Sequence, residues 1–277
     1  MAITNFIPTV WSENLYKALD RKYTAVANCN REYEGEIKNI GSVVKICGVG
    51  NVTISDYTKD TDMSTPQTLN DTVRELKIDK AKYFNFQIDD IDRAQCTPKL
   101  MDAAMSVAAE GLAAAADRCI FELKDNTENV YPHVYTSPDE LVDFIINCRE
   151  FVYKSGAADS SHVVLEVSPA VATQLIKAKM NLLSDNTDAV ENGCIGSIAG
   201  CKVFVSNNVC TSYDGSNHTY SCLLRTTRAV AFAEQLSEIE AYRPEKRFAD
   251  AVKGLHLYGA NIIYPDEFAV LEITFEE

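Results

Sequence analysis

The chain is poor in the residues that usually advertise chemistry. It has one Trp and four His in 277 residues. No two cysteines stand in a CxxC, and no cysteine pairs with a histidine at zinc-finger spacing, so ordinary zinc and dithiol motifs are excluded. No apolar run is long enough to span a membrane. Met1 to Val10 has no basic stretch followed by an apolar core, which argues against a signal peptide and for a chain made and used in cytosol. Basic residues are outnumbered, 26 Lys and Arg against 40 Asp and Glu, for a net charge of -14. Phosphate contacts need clustered cations, so tight nucleic-acid binding is disfavoured, whereas enclosing nucleic acid without gripping it is not.

What is present is an ordinary folding composition, 46% hydrophobic and 24% charged, in a chain long enough for one elaborate domain or two plain ones. The nine cysteines are an odd number, and most sit among apolar neighbours, as in Val44-Lys45-Ile46-Cys47 and Arg118-Cys119-Ile120-Phe121. That context predicts reduced structural thiols behaving as small hydrophobes. His133, His162, His218 and His256 are dispersed, and no nucleophile signature surrounds any cysteine. Gly48-Val49-Gly50-Asn51 lacks the third glycine and following helix of a phosphate loop and reads as a turn. Asp89-Asp90-Ile91-Asp92 lacks a glycine-containing loop of EF-hand length and reads as a solvated acidic bend.

Along the chain, Trp11 to Tyr23 reads as a short amphipathic helix with Trp11, Leu15, Ala18 and Leu19 on one face. A charged two-stranded arm is expected between Asn51 and Asp92, with residues 73–88 as one long strand, Val49 to Tyr57 as its partner, and Thr58 to Asp71 as the tip. In that strand Leu76, Ile78, Phe84, Phe86 and Ile88 share a parity with Lys80 and Lys82, which interrupt the apolar face. A two-stranded ribbon alone in water is marginal, so it is either held by other subunits or folded back on its own domain.

Pro98 at a first helical position after Thr97 opens a helix over about 98–124, with Met101, Met105, Ala108, Leu112, Ala115, Cys119 and Leu123 as its stripe; at about 1.5 Å per residue it is roughly 40 Å long. Ser137-Pro138-Asp139-Glu140 is a capping box for a helix carrying Leu141, Phe144, Ile145, Cys148, Phe151 and Val152 inward, ended by Gly156. Val163 to Val167 reads as a strand, Ser168-Pro169 as the cap of a helix to about Met180, and 195–205 and 221–233 as strands. The alternation implies a compact α/β subdomain.

The closing segment, Ile239-Glu240-Ala241-Tyr242-Arg243-Pro244-Glu245-Lys246-Arg247-Phe248-Ala249-Asp250 followed by Lys253-Gly254-Leu255-His256-Leu257-Tyr258-Gly259-Ala260, resembles that of the tailed-phage major capsid proteins of HK97-type fold, particularly the P22-coat-like branch. Gly193 to Ala199 with Gly200, Val203, Val205 and Ser206-Asn207-Asn208, and Phe6-Ile7-Pro8 with Trp11 to Leu19, match other blocks of that family in order. The resemblance covers essentially the whole chain.

It implies an α+β fold: an N-terminal arm over 1–48, an extended β-hairpin loop over 49–92, a peripheral domain with a long spine helix over 93–136, an α/β axial domain over 137–236, and a return to the peripheral domain over 237–277. It also implies a structural coat protein with no catalysed reaction and no cofactor, assembling with itself into hexamers and pentamers of an icosahedral shell around double-stranded DNA. The expected location is the virion, assembled in host cytoplasm. Trp11, Leu15, Lys77, Lys80, Lys82, Arg243, Glu245, Lys246 and Arg247 are the candidate intersubunit contacts. No charged helical extension precedes the arm, and the loop at Asp214-Gly215-Ser216 is too small for an inserted domain, so a separate scaffolding protein and a portal are implied as partners. An encapsulin-like compartment of the same fold, enclosing protein cargo, is the alternative; an α/β enzyme would need a convergent polar pocket that the sequence does not display.

Overall fold

The computed structural model describes residues 15, 18–19, 22–33, 41–49, 56, 59, 71–89, 100–154, 162–178, 181–182, 194–246 and 248–276. Trp11, Arg247, the Thr97-Pro98 cap, Gly156 and nearly all of the expected tip lie outside them.

The chain folds as a mixed α+β structure around two main sheets. Three α-helices are described: α1 (Leu100–Glu122), α2 (Pro138–Lys154) and α3 (Pro169–Lys177). The strands are β1 (Val43–Val49), β2 (Asp71–Lys77), β3 (Lys80–Asp89), β4 (Val130–Val134), β5 (Val163–Val167), β6 (Asn181–Leu182), β7 (Cys194–Ile198), β8 (Cys201–Val205), β9 (Cys210–Tyr213), β10 (Asn217–Thr226), β11 (Val230–Tyr242), β12 (Ala249–Ile262) and β13 (Phe268–Glu276).

The larger sheet has the order β4-β13-β10-β5-β8-β7-β6, with β9 pairing the outer half of β10. Its β4–β13 and β5–β8 pairs are parallel and its other pairs antiparallel. Helices α2 and α3 pack together, and α2 lies against β10 and β13, burying Leu141, Ile145, Cys148 and Val152 at helical spacing. Both helix starts follow the caps in the sequence: the Ser137 hydroxyl accepts from Glu140 N at 3.3 Å and the Ser168 hydroxyl from Val171 N at 3.4 Å.

The smaller sheet, β11-β12-β3, has two unlike faces. On one, Phe232, Glu234, His256 and Tyr258 face α1 and the segment Tyr23 to Arg31; the Tyr258 hydroxyl donates to the Ala115 carbonyl of α1 at 3.3 Å. On the other, Ala231, Ala233 and Leu257 are covered by the β1–β2 hairpin through Val44, Ile46, Leu76 and Ile78. Leu15, Leu19 and Tyr23 are buried in the main core.

Several expectations are corrected. Residues 73–88 do not form one strand. The chain breaks at Ile78-Asp79, so β2 pairs in antiparallel register with β1 over 43–49 (Val44↔Leu76, Val49↔Asp71), only Val49 of the expected partner 49–57 taking part, and β3 pairs with β12. The break resolves the parity conflict: Leu76 and Ile78, both fully buried, finish one apolar face before the exposed Lys80 and Lys82 begin another strand. The arm therefore has an apolar face after all, and its base folds back on its own domain. Gly48 and Val49 are strand residues rather than a turn.

In α1 the buried residues are Ala109, Leu112, Ala113, Ala116, Asp117, Cys119, Ile120 and Phe121, so Leu112 and Cys119 of the expected stripe, and Leu123 just past the helix, are buried; Met105, Ala108 and Ala115 are half-buried, because α1 packs through Ala109, Ala113 and Ala116 against the core. Residues 195–205 form the hairpin β7–β8, turned at Ala199 (φ 49) and Gly200 (φ 84), the left-handed pair that a tight hairpin requires. Residues 221–233 divide at the turn 227–229 into β10 and β11.

Candidate functional site

Two kinds of feature stand out: a buried polar junction where the sheets meet, and the surface left open on the smaller sheet.

The junction is built around strands whose sequences are apolar but for one charge. Val163-Val164-Leu165-Glu166-Val167 and Cys222-Leu223-Leu224-Arg225 place Glu166 and Arg225 diagonally across β5 and β10, both fully buried. They form a bidentate pair, with Arg225 Nη2 to Glu166 Oε1 at 2.7 Å and Nε to Oε2 at 3.2 Å. Arg225 also donates to the carbonyls of Asn28 at 2.8 Å and Ala25 at 2.9 Å. From α1, the Asp117 carboxylate accepts the backbone N–H groups of Thr24, Ala25 and Val26, each at 3.0 Å. Burial pushes both carboxyls above their ordinary range; for Glu166 the Arg225 guanidinium opposes this, and for Asp117 the three N–H groups do.

A second hub is Glu234 of β11. It accepts from the Tyr23 hydroxyl, from Arg31 at 2.6 Å and from His256 Nε2 at 2.8 Å. Burial, then the Glu234 carboxylate, raises the Tyr23 phenol. Glu267 takes Thr226 at 2.6 Å and Arg228 at 2.8 and 3.1 Å, tying together the two connections between the sheets. These groups bond to one another and to the backbone, with His256 Nδ1 left as a buried atom without a hydrogen-bond partner. Among the described residues no group of His, Cys, Asp and Glu is placed to hold a metal ion.

Cys29, Cys119, Cys148, Cys194, Cys201, Cys210 and Cys222 are free thiols. Burial pushes Cys29 and Cys222 up to about 12 and Cys119, Cys148 and Cys201 up to about 11.

The open surface lies on the hairpin-bearing face of the smaller sheet, beyond the part that the hairpin covers. Leu255 and Tyr83 are cross-strand neighbours there, 37% and 79% exposed. Beside them Lys253 Nζ meets Glu240 at 2.7 Å, and the Tyr242 hydroxyl donates to Asn85 Oδ1 at 3.1 Å. The connection from β11 to β12 ends in Phe248, 84% exposed. β3 is one of the two edge strands of this sheet. No described helix is long and apolar enough to cross a membrane.

The sequence candidates fall into separate places. Leu15 is buried in the main core and packs inside the subunit. Lys77 is exposed, 3.6 Å from Glu75, at the end of β2, and Lys80 and Lys82 are exposed on β3. Arg243 Nε lies 3.2 Å from Asp250, while Glu245 and Lys246 are exposed in the same turn. The structure thus brings Arg243, Glu245 and Lys246 together at one end of the smaller sheet and leaves Lys77 at the other. Tyr83, Phe248 and Leu255 carry no signal of exposure in the sequence, since an apolar residue on a strand or turn reads alike whether it is buried or open. The Glu166–Arg225 pair did leave a signal: a lone charge inside each of two apolar strands requires a buried partner.

No family model and no curated protein matches the sequence. Solved structures do. A chain from Mycobacterium phage Che8 is 26% identical, covers 98% of this chain and 98% of its own length, and superposes with a TM-score of 0.68. The capsid of Ralstonia phage GP4 is similar at 12% identity, 93% and 90% coverage and a TM-score of 0.70. A virus-like particle from Pyrococcus furiosus is similar at 12% identity, 94% and 96% coverage and a TM-score of 0.54. Over nearly its whole length, the chain carries the α+β fold of bacteriophage capsid proteins.

Proposed function

We propose that this chain is the major coat protein of a tailed-phage head, a structural subunit that assembles with itself into hexamers and pentamers of an icosahedral shell around double-stranded DNA. The observation that carries this reading is the end-to-end likeness to the Mycobacterium phage Che8 chain, in which coverage is near complete on both sides. Likeness at 12% identity speaks to fold alone, and the GP4 capsid is consistent with the same reading.

In this assignment residues 1–48 are the N-terminal arm, 49–92 the extended loop, 93–136 and 237–277 the peripheral domain with α1 as spine, and 137–236 the axial domain, in an HK97-type arrangement of the P22-coat-like branch. Trp11, Lys77, Lys80, Lys82, Arg243, Glu245, Lys246 and Arg247 are contacts with neighbouring subunits. Tyr83, Leu255 and Phe248 join them as the apolar part of the contact surface. The net charge of -14 suits a shell that contains DNA without gripping it, located in the virion and assembled in host cytoplasm with a separate scaffolding protein and a portal. No reaction is catalysed.

The Pyrococcus furiosus particle supports a second reading, a compartment shell, at lower identity and TM-score. Sedimentation and light scattering of the purified protein, alone and co-expressed with a phage scaffolding protein, test the coat reading: capsomers or shells are expected. A monomer at every concentration under both conditions contradicts it.

A further inference from the structure

The short stretch from Tyr23 to Arg31 is held from three directions. Asp117 of α1 takes three of its N–H groups, Arg225 of β10 takes the carbonyls of Ala25 and Asn28, and Glu234 of β11 takes the side chains of Tyr23 and Arg31. It also adds a backbone tie to β11, with Asn30 N to Val230 O and Phe232 N to Asn30 O both at 2.9 Å. One stretch is therefore bonded to the spine helix, the larger sheet and the smaller sheet at once. The smaller sheet joins the larger directly through the turn 227–229, from β10 to β11, and through 263–267, from β12 to β13. These two connections are cross-linked by Arg228 and Thr226 on Glu267, as a hinge would be.

We infer that Tyr23 to Arg31 is a pin that sets the angle between the two sheets and, through it, the curvature of the shell that the subunit builds. The second half rests on the coat-protein reading. The pin acts through charged and backbone groups buried at a junction, where a bond once broken is not replaced by water, so it holds one angle rather than a range. Glu166 and His256 position Arg225 and Glu234 and are part of the same device.

The test uses the full chain with spin labels, attached by non-cysteine chemistry, at Asn85 on β3 and Lys202 on β8, both exposed. Tyr23→Phe and Glu234→Gln are compared with the parent and with Glu110→Gln, which touches only the exposed Lys22 pair. In the pin variants, hydrogen exchange across 23–31 is expected to rise about 10-fold or more and the label-to-label distance distribution to widen about two-fold, with neither change in the control. Tyr23→Phe removes a single hydroxyl and serves if Glu234→Gln does not fold.

Unchanged exchange at 23–31 overturns the pin; so does faster exchange with an unchanged distance distribution. For shells, electron microscopy of the variants is expected to show a spread of diameters. Widened distances with the parent's single diameter overturn the curvature half alone. A parent that builds no shell removes the coat reading and the curvature half with it, leaving the pin to be judged by the distances.

Discussion

At Gly259 of β12 the end of β2 comes close to the smaller sheet. A Cβ there would sit 2.0 Å from the Lys77 carbonyl oxygen, 2.9 Å from its carbon and 3.1 Å from the Ile78 Cα. All three are backbone atoms at the point where β2 ends, so no side chain can swing aside. Gly259→Ala must therefore lift the hairpin off the sheet. Local relaxation in a packed interior typically costs about 1–3 kcal/mol. If the hairpin lets go, the burial of Val44, Ile46, Leu76 and Ile78 is also lost; at roughly 1.5–3 kcal/mol per side chain this sets an upper bound of roughly 6–12 kcal/mol, reduced by the ordering entropy the freed hairpin regains.

Gly254→Ala, on the same strand, is the internal comparison. Its Cβ would lie 2.5 Å from the Phe84 ring, a half-buried side chain that can rotate, so a smaller loss is expected. Urea unfolding gives the two losses, and limited proteolysis across 41–49 and 71–79 shows whether the hairpin is released. Gly259→Ala is expected to lose at least about 2 kcal/mol, more than Gly254→Ala, and to expose the hairpin. A loss under about 0.5 kcal/mol, or one no greater than that of Gly254→Ala, refutes the close-approach argument.

Three further outcomes are expected. Glu166→Leu leaves Arg225 buried with only the carbonyls of Ala25 and Asn28 and should cost about 3–5 kcal/mol, while Arg225→Met strands both the carboxylate and those carbonyls and should cost more. The double variant in urea melts should be far less destabilised than the sum of the two, and additivity would sink the pairing argument. The thiols of Cys29, Cys119, Cys148, Cys201 and Cys222, raised from 9.0 to about 11–12, stay protonated in the fold where the unfolded chain ionises. Stability contributed by this difference is intact below pH 9 and falls as pH rises through 9 toward 12, by up to about 1.4 kcal/mol per pH unit per thiol; a Cys222→Ala variant should show a shallower loss, and an identical slope contradicts the assignment. Replacing residues 50–70 by a short Gly-Ser turn joins Val49 to Asp71, which are already paired, and should leave a cooperative fold by circular dichroism while abolishing shells. Removing 54–86 should instead unfold the chain, since it takes Leu76, Ile78 and most of β3; a cooperative fold after that excision contradicts the structure.

Local signals carried the elements that local chemistry decides. The Ser-Pro starts of α2 and α3, the apolar face of α2 and the strand β5, apolar but for Glu166, could be read from a few neighbouring residues, because caps and periodicity act within a turn or two. The break at Ile78-Asp79 could not. It depends on Gly259, far along the chain, letting the Lys77 carbonyl approach β12, and on β12 accepting β3 as a partner. The Leu76-to-Ile88 parity was correct for each half and misleading for the whole. The stripe expected in α1 was right at Leu112, Cys119 and Leu123 and missed at Met105, Ala108 and Ala115, because the small Ala109, Ala113 and Ala116 make part of the packing face and carry little signal in the sequence. The polar junction was half legible. A lone Glu in β5 and a lone Arg in β10 demand partners, yet only the fold shows that Arg225 and Asp117 also bond to the backbone of Thr24 to Asn28. The Lys253-to-Ala260 block of the family resemblance acquires a physical reason in the structure, since Gly254 and Gly259 are the two places where a side chain on β12 would strike its neighbours.

The central claim is that this chain is a shell-building subunit, and electron microscopy of the purified, concentrated full-length protein tests it most directly. Closed particles, or rings of five and six subunits when scaffolding protein is absent, are the expected images. Dispersed monomers with a cooperative fold, at every concentration and with scaffolding protein supplied, would contradict it.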